Sequence, residues 1–202
     1  MQELIKIKPL LSEPKSIAIT HHFNSDYDAL GSTLGLKHYL EKLGHSCTVI
    51  SPNANAAFMK WMPGIETVLE FEEQKEEVKA ILDKADILFC LDYNIFHRTK
   101  HLAPLLEAFD KTIVLLDHHL EPDLASFDFG TSIPAKSSTS EMVYDFILQM
   151  EHDAHIDKNI ATCLYIGTVA DTGGFKYPST TADTMRMAAR LMETGISTAN
   201  IQ

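Results

Sequence analysis

Residues 112–119 read TIVLLDHH, in which five apolar or β-branched residues lead directly into Asp117, His118 and His119. A continuous apolar run of this length is typical of a strand that helices cover on both faces. Three further runs share the pattern of Thr112–Leu116, and they are Ser16–Thr20, Ser46–Ile50 and Ile87–Leu91. The sequence therefore predicts four strands of a buried sheet.

Longer segments with a helical repeat of apolar residues alternate with these strands. The six predicted helices are Ala29–Leu43, Gln74–Lys84, Thr99–Phe109, Ser140–Met150, Lys158–Ala170 and Ala182–Thr194. Gly44 and Gly195 directly follow two of them, as glycine commonly does at helix ends. The alternation predicts an α/β fold, in which a doubly wound parallel sheet carries helices on both faces.

The composition is that of a folded, acidic domain. The 202 residues are 45% hydrophobic and carry a net charge of −11, so the chain lacks the basic face that a long duplex needs. No apolar run reaches the ~20 residues of a membrane span, and the N-terminus lacks a signal-peptide pattern. We expect a cytoplasmic protein with no membrane partner, in which Cys47, Cys90 and Cys163 are buried free thiols.

Potential metal ligands follow these apolar stretches. The first predicted strand runs into HHFNSDYD at residues 21–28, the third into Asp92 and the fourth into Asp117, and the apolar stretch 164–170 runs into Asp171. Read as the ends of parallel strands, these four clusters are expected to converge at one edge of a sheet. Converged carboxylates repel one another unless cations neutralise them, and mixed Asp and His donors suit manganese or magnesium. Two such ions would bridge an attacking hydroxide and a phosphoryl oxygen.

Each of these residues has a simpler interpretation when it is taken alone. An Asp after a strand is commonly a turn residue or a helix N-cap, and a His pair is more often on the surface or hydrogen-bonded in the core. Asp28 could cap the helix from Ala29 and still bind a metal. Four clusters together are much harder to explain by capping, so a metal site is favoured. Phe58 and Trp61 could stack on a nucleobase, but a local hydrophobic cluster is favoured.

The set resembles the DHH phosphoesterase superfamily, which takes its name from the run found here as Asp117, His118 and His119. The other motifs of the superfamily occur in the expected order, and their matching residues are His22, Asp26, Asp28, Asp92 and Asp171. Three segments are similar to the oligoribonuclease branch, which includes nanoRNase and phosphoadenosine phosphate phosphatase. They are ALGS at 29–32, SSTSE at 137–141 and FKYPSTT at 175–181.

The resemblance implies two divalent cations, for which manganese is favoured and magnesium or cobalt are alternatives. The ligands of one ion would be His22, Asp26 and Asp92. Those of the other would be Asp28, Asp92, His118 and Asp171. In this arrangement Asp92 bridges the two ions. The four carboxylates, including Asp92, would balance two divalent cations and leave the site formally neutral, so that a phosphate can approach.

The resemblance also implies roles beyond metal binding. His119 is expected to act in catalysis by facing the substrate phosphate, and Asp117 by orienting the histidines. Arg98 and Ser138 are the expected substrate contacts. Each has an alternative. Arg98 could be a solvated surface residue. Ser140 could cap the helix that it begins, and Ser138 would then lie in the loop before that helix.

The implied activity is hydrolysis of short single-stranded RNA or DNA oligonucleotides to mononucleotides. Removal of the 3′-phosphate from phosphoadenosine phosphate, a nucleotide bisphosphate, is a second activity of the branch. The alternatives are an inorganic pyrophosphatase or exopolyphosphatase of the same superfamily, and a catalytically idle, metal-bound module that senses nucleotides. The sequence leaves a homodimer open.

Two features depart from the branch. Its first motif typically reads Pro-Asp-Gly-Asp, but here Ser25 and Tyr27 replace Pro and Gly, and glycine accepts φ values that tyrosine resists. The branch also carries a C-terminal substrate-binding domain. We therefore expect a catalytic domain at 1–195, and the start of a linker at 196–202 to a second domain that this chain does not contain.

Overall fold

The computed structural model describes residues 1–201, in which seven strands form one sheet. The strands are β1 (Gln2–Glu3), β2 (Ser16–Thr20), β3 (Ser46–Ser51), β4 (Leu69–Glu70), β5 (Ile87–Leu91), β6 (Thr112–Asp117) and β7 (Phe129–Ser132). Their spatial order is β1-β7-β6-β5-β2-β3-β4, and every neighbouring pair is parallel. The predicted parallel α/β fold is therefore confirmed.

The three strands that the sequence did not predict are the short ones. β1 and β4 contain two residues each and β7 contains four, so no apolar run of useful length marks them. β1 and β4 are also the two outermost strands of the sheet. Short edge strands are a common protection against pairing with other chains.

Six α-helices accompany the sheet. They are α1 (Tyr27–Lys42), α2 (Lys75–Lys84), α3 (Ala103–Glu107), α4 (Thr139–Gln149), α5 (Lys158–Asp171) and α6 (Ala182–Glu193). The predicted helix Thr99–Phe109 is wrong in its first half, because Phe96–Leu102 forms 3-10 turns and Lys100 has a left-handed φ of 55°. The α-helix begins only beside Pro104, which fits the first turn of a helix but not its interior.

Alternate side chains of each strand pack on opposite faces of the sheet. In β2, Ile17 and Ile19 pack in the core formed with α1, α4, α5 and α6, whereas Ala18 packs in the core formed with α2 and α3. The same alternation occurs in β5 and β6. Because both faces are covered, these strands show continuous apolar runs in the sequence.

The winding of the sheet reverses between β2 and β5. From β2 the chain runs outward to β3 and β4, then returns to β5 beside β2 and continues the other way through β6 and β7. In open α/β sheets, a crevice at the carboxyl ends of the strands marks such a reversal and binds ligands. The residues that follow β2, β5 and β6 are therefore expected to line this crevice.

Two further predictions concern the linker at the C-terminal end and the membrane. Thr198–Asn200 forms a short 3-10 turn. The linker at 196–202 stays a prediction, and its last residue, Gln202, lies outside the described residues. Within residues 1–201, no helix has both the length and the apolar character that crossing a bilayer requires.

Candidate metal centre

Three of the predicted metal ligands come from strand ends beside the reversal point. His22 lies two residues after β2, Asp92 directly follows β5, and His118 directly follows β6. The three strands are neighbours in the sheet and run in the same direction. Their carboxyl ends therefore place these side chains side by side at one edge.

The other three ligands are held by helix ends. Asp26, not Asp28, is the N-cap of α1, and its Oδ1 accepts the backbone N–H groups of Asp28 and Ala29 at 2.9 Å each. Asp28 lies in the first turn of the same helix, and Asp171 is the last residue of α5. The stretch 164–170 belongs to the predicted helix Lys158–Ala170, which is confirmed as α5, so the fourth cluster lies at a helix end and not at a strand end.

One group of ligands consists of His22, Asp26 and Asp92, whose donor atoms lie within 4.8 Å of one another. Nε2 of His22 is 3.3 Å from Oδ2 of Asp92 and 3.7 Å from Oδ2 of Asp26. Asp92 is 2% exposed, whereas Asp26 lies on the surface. This group therefore extends from the buried interior of the site to the solvent-exposed surface.

A second group, equally close, consists of Asp28, His118 and Asp171. Nε2 of His118 is 3.2 Å from Oδ2 of Asp171 and 3.6 Å from Oδ1 of Asp92. Asp92 thus turns one carboxylate oxygen toward His118 and the other toward His22. A carboxylate in this position can bridge two cations, which is the arrangement that the sequence predicts.

Asp92 has an unusual backbone conformation. Its φ is 62°, in the left-handed region that residues with a side chain seldom adopt, although Asp and Asn adopt it more readily than most. The conformation occurs directly after β5, on the residue that both ligand groups contact. Such strained residues concentrate at functional sites, where the surrounding structure holds them in place.

Hydrogen bonds to the backbone engage Nδ1 of both candidate histidine ligands, so Nε2 is the atom that each ring can offer to a metal. Nδ1 of His22 is 2.9 Å from the carbonyl oxygen of Phe23, and Nδ1 of His118 is 3.3 Å from that of Lys136. A carbonyl oxygen can only accept, so Nδ1 carries the proton in both rings. In the neutral ring the lone pair then lies on Nε2, which is the usual arrangement for a metal-binding histidine.

The charges of the site fit bound cations. Burial alone would lower the pKa of His22 and His118, but hydrogen bonds to the neighbouring carboxylates outweigh it and raise the pKa to about 10 and about 11. Burial, followed by the charges of Asp92 and Asp171, raises the pKa of Asp28 well above its ordinary range. Without cations, these three side chains therefore hold protons on the atoms that would bind a metal, and bound cations would replace those protons.

The N-terminus of α4 supports the carboxylates from one side. The backbone N–H groups of Thr139 and Ser140 donate to the two oxygens of Asp28 at 2.6 and 2.9 Å, and the Thr139 hydroxyl donates to Oδ1 of Asp92 at 3.0 Å. Gly167 in α5 permits this approach, since a Cβ there would overlap Oγ of Ser140 and lie 2.9 Å from Oδ1 of Asp28. Free N–H groups at a helix N-terminus stabilise negative charge, so α4 favours the ionised form of Asp28.

Asp117 and His119 form a pair beside these groups, and His119 also lies with Asp92 and His118 in a third group whose donor atoms are within 4.8 Å of one another. Nδ1 of His119 is 2.7 Å from Oδ1 of Asp117, and the backbone N–H of His119 donates to Oδ2 at 2.8 Å. The prediction that Asp117 orients both histidines is wrong for His118, because Nδ1 of His118 contacts Lys136. The His119 side chain is 35% exposed, so part of its ring is open to a ligand.

The two predicted substrate contacts have different surroundings. Ser138 is fully buried and caps α4, where it accepts the backbone N–H of Glu141 at 3.0 Å. The cap of α4 is thus Ser138 and not Ser140, which the sequence offered as an alternative. A substrate contact at Ser138 stays a prediction, although its hydroxyl already has a partner here. Arg98 is half-buried beside the first motif, and its carbonyl oxygen accepts the N–H of Phe23 at 2.9 Å. Its guanidinium makes no ion pair with another described residue, and its phosphate role stays a prediction.

Sequence reasoning missed Glu141, a buried carboxylate that holds the loop before α4. It accepts the backbone N–H of Ser137 at 3.0 Å, the Thr184 hydroxyl at 3.2 Å and the ammonium group of Lys136 at 3.1 Å. Lys136 also provides the carbonyl oxygen that contacts His118. Burial alone would raise the pKa of Glu141, but the hydrogen bonds from Ser137 and the charge of Lys136 hold it below its ordinary value. The S-x-x-E pattern at the start of α4 was the available signal.

Replacing Glu141 by Ala is expected to lower the free energy of unfolding by about 3 kcal/mol, because Lys136 and Ser137 lose a buried partner. Asp145→Ala is the matched control, since Asp145 pairs with the same lysine but is partly exposed, and it should cost at most ~1 kcal/mol. Urea denaturation measures the free energy of unfolding of both variants. The stabilisation is present at neutral pH and is lost as pH falls through the lowered pKa of Glu141. Equal losses in the two variants would contradict this role.

The two departures from the branch pattern fit the backbone. Tyr27 is the first residue of α1, and the left-handed residue of this loop is Asn24, with a φ of 58°. Tyr27 therefore needs no glycine-like conformation, and the expected conflict does not arise. Oγ of Ser25 donates to Oδ1 of Asn55 at 3.2 Å. Both substituted positions contact the loop at 53–61.

Two curated proteins resemble most of this chain. An uncharacterized protein, MG371, of Mycoplasma genitalium is 31% identical over 182 residues, which are 87% of this chain and 51% of that protein. The probable bifunctional oligoribonuclease and PAP phosphatase NrnA of Streptococcus mutans is 27% identical over 190 residues, which are 92% of this chain and 56% of that protein. The chain spans about half the length of the curated relatives it matches.

A solved structure and a family match agree with these relatives. The crystal structure of an exopolyphosphatase-related protein from Bacteroides fragilis has a TM-score of 0.93 and 34% identity, over 98% of this chain and 58% of that chain. Residues 16–168 match the DHH family, N-terminal domain, and they include every proposed ligand except Asp171. Because the match covers more than half of the sequence, this chain belongs to the DHH family.

Proposed function

We propose that this domain is a two-metal phosphoesterase that cuts short oligonucleotides to mononucleotides. The observation that carries the proposal is Asp92, whose oxygens lie 3.3 Å from Nε2 of His22 and 3.6 Å from Nε2 of His118. When bound, two neighbouring cations acidify a water and stabilise charge on phosphoryl oxygens. The NrnA protein of Streptococcus mutans, described as an oligoribonuclease and PAP phosphatase, supports oligonucleotides and phosphoadenosine phosphate as substrates.

Manganese is the ion that we propose, with magnesium or cobalt as alternatives. The ligand set combines four carboxylates with two imidazoles, a mixture that suits manganese better than a purely oxygen-binding ion. Four carboxylate charges balance two divalent cations, so an anionic phosphate meets a nearly neutral centre. Cys47, Cys90 and Cys163 are free and buried, as predicted, and such thiols fit a reducing cytoplasm.

His119 and Asp117 are the groups that would act on the substrate. Asp117 accepts the Nδ1 proton of His119 and so fixes the orientation and tautomer of the ring. Nε2 is then the ring atom that can hydrogen-bond to a phosphate or exchange a proton with it. The position of Nδ1 of His119, 3.8 Å from Oδ1 of Asp92, brings this group to the edge of the metal centre.

A second candidate substrate is an inorganic phosphoanhydride such as pyrophosphate or polyphosphate. The Bacteroides fragilis protein, at 34% identity, is described as exopolyphosphatase-related. Because both substrate classes require two cations and a phosphate-binding group, the metal centre alone does not choose between them. Contacts to the rest of the substrate decide the choice.

Protein loaded with manganese is expected to contain about two ions per chain and to release mononucleotides from di- and trinucleotides. Elemental analysis measures the ions, and chromatography of the products compares dinucleotides, phosphoadenosine phosphate, pyrophosphate and polyphosphate. Well-folded protein without bound metal would contradict the site. Metal-loaded protein that cleaves only polyphosphate would select the second candidate, and metal-loaded protein that cleaves nothing would indicate a binding module.

A further inference from the structure

An aromatic cluster of Tyr27, Phe58 and Trp61 lies on the surface. Phe58 is 63% exposed and Trp61 is 40% exposed. The ring of Tyr27 lies 5.7 Å from that of Phe58 and 6.2 Å from that of Trp61, measured between centroids. The predicted local cluster is therefore present. Tyr27 packs against the core, whereas Phe58 and Trp61 face solvent. Exposed apolar groups that lie together often mark a binding site.

The aromatic cluster is linked to the candidate metal ligands through the chain and through the edge of the sheet. Tyr27 lies in the chain between Asp26 and Asp28, and adjacent Cα atoms are ~3.8 Å apart. Each ligand group therefore has one member directly next to Tyr27. Phe58 and Trp61 belong to the loop after β3, which is the neighbour of β2, so this loop emerges at the same carboxyl edge of the sheet. The cluster and the candidate ligands therefore lie at the same edge of the sheet.

Hydrogen bonds hold the loop at 53–61 against the first motif. The backbone N–H of Asn24 donates to Oδ1 of Asn53 at 2.8 Å, and the Ser25 hydroxyl donates to Asn55 at 3.2 Å. The indole N–H of the loop's tryptophan donates to the Tyr27 hydroxyl at 3.4 Å. The rings are thus ordered before any ligand arrives, which lowers the entropy that binding must offset.

We propose that the aromatic cluster stacks on a nucleobase of the substrate, an inference that rests on the proposed function. The net charge of −11 leaves little basic surface with which to attract a nucleic-acid backbone, so affinity for a short oligonucleotide must come from other contacts. Aromatic stacking is such a contact, and it accepts any base because every base has a π face. The cluster also gives the site a means of preferring nucleotides over inorganic phosphoanhydrides.

Trp61→Ala is expected to raise the KM for a dinucleotide about ten-fold or more, with a much smaller change in kcat. Trp61→Phe keeps an aromatic ring and should recover most of the loss. Leu148→Ala is the matched control, because Leu148 is similarly exposed, at 41%, but lies near the far end of α4 from the metal centre. A KM in Trp61→Ala equal to that of the control would overturn the stacking surface.

An abasic dinucleotide separates the stacking surface from the proposed function. The ratio of kcat/KM for the normal dinucleotide to that for the abasic one is expected to fall about ten-fold in Trp61→Ala. An unchanged ratio would overturn the stacking surface and leave the phosphoesterase proposal standing. Wild-type protein that cleaves neither compound would overturn the proposed function instead.

Fluorescence tests the stacking surface without catalysis. Trp61 is the single tryptophan among the 202 residues, so its emission reports on this surface alone. Adding AMP to the manganese-loaded protein is expected to quench the emission to a saturating level. Emission that does not respond to AMP would overturn the stacking surface, and so would the emission of a buried indole, which would mean that another protein segment covers the ring.

Discussion

A protein in which Asn replaces Asp92 is expected to bind almost no manganese and to lose more than ~10³-fold in kcat/KM. The loss exceeds the ~10²–10³-fold that one missing electrostatic contact commonly costs, because Asp92 belongs to the first ligand group and its other oxygen faces His118 of the second. Asn has the size of Asp and also tolerates the left-handed φ of 62°. The substitution therefore removes the charge while the backbone conformation is retained.

Elemental analysis after gel filtration and steady-state kinetics measure this effect. Asp128→Asn is the control, because the Asp128 carboxylate is likewise a hydrogen-bond acceptor, from the backbone N–H of Ile113 at 2.9 Å, but lies at the amino end of the strands. The control should keep its metal and its activity. If Asp92→Asn retained one ion per chain at full occupancy, the bridging role would be wrong.

His118 and His119 are adjacent, yet their alanine variants are expected to fail differently. Nε2 of His118 faces Asp92 and Asp171, so His118→Ala should weaken manganese binding at least ~10-fold, and activity should fall with it. His119 bonds to Asp117 and keeps an exposed ring edge. His119→Ala should therefore leave metal occupancy nearly intact while kcat/KM falls ~10²–10³-fold.

Calorimetric titration with manganese beside steady-state kinetics distinguishes the two histidines. His101→Ala provides the control, since His101 lies on the surface and pairs only with Glu72; neither quantity should change. A core role for either histidine would appear as lower thermal stability with metal affinity and kcat/KM preserved. Equal loss of metal from His118→Ala and His119→Ala would refute the division of roles.

The sequence predicts those parts of the fold that depend on long local patterns. β2 and β5 match their predicted bounds to the residue, because a buried strand is apolar throughout. The segment Phe96–Leu102 was predicted poorly, because its 3-10 turns depend on Pro104 and on a left-handed Lys100. β1 and β4 depend on pairing with distant strands, which no local pattern records.

The ligand types of the candidate site are readable in the sequence, but the groups that support them are not. The amide of Thr139 contacts Asp28 across 111 residues of chain, and the carbonyl of Lys136 contacts His118 across 18. Backbone groups are the same in every residue, so a sequence does not mark which of them will be used. Conversely, a side chain that suggests a function in the sequence can have a structural use. The Ser138 hydroxyl could bind phosphate, but in the structure it is a buried helix cap.

The proposed ligands come from segments that extend from the end of β2 to the end of α5. Most of the helices and strands must therefore be folded before a cation can bind all of its ligands. An ion that binds only the folded chain stabilises it by mass action, by about 4 kcal/mol when its free concentration is a thousand times its Kd. Divalent cations would then govern how long the protein survives as well as how fast it works. In a cell starved of manganese, the domain would lose this stabilisation and would open and be degraded more readily, so supply of the metal would influence the abundance of the protein.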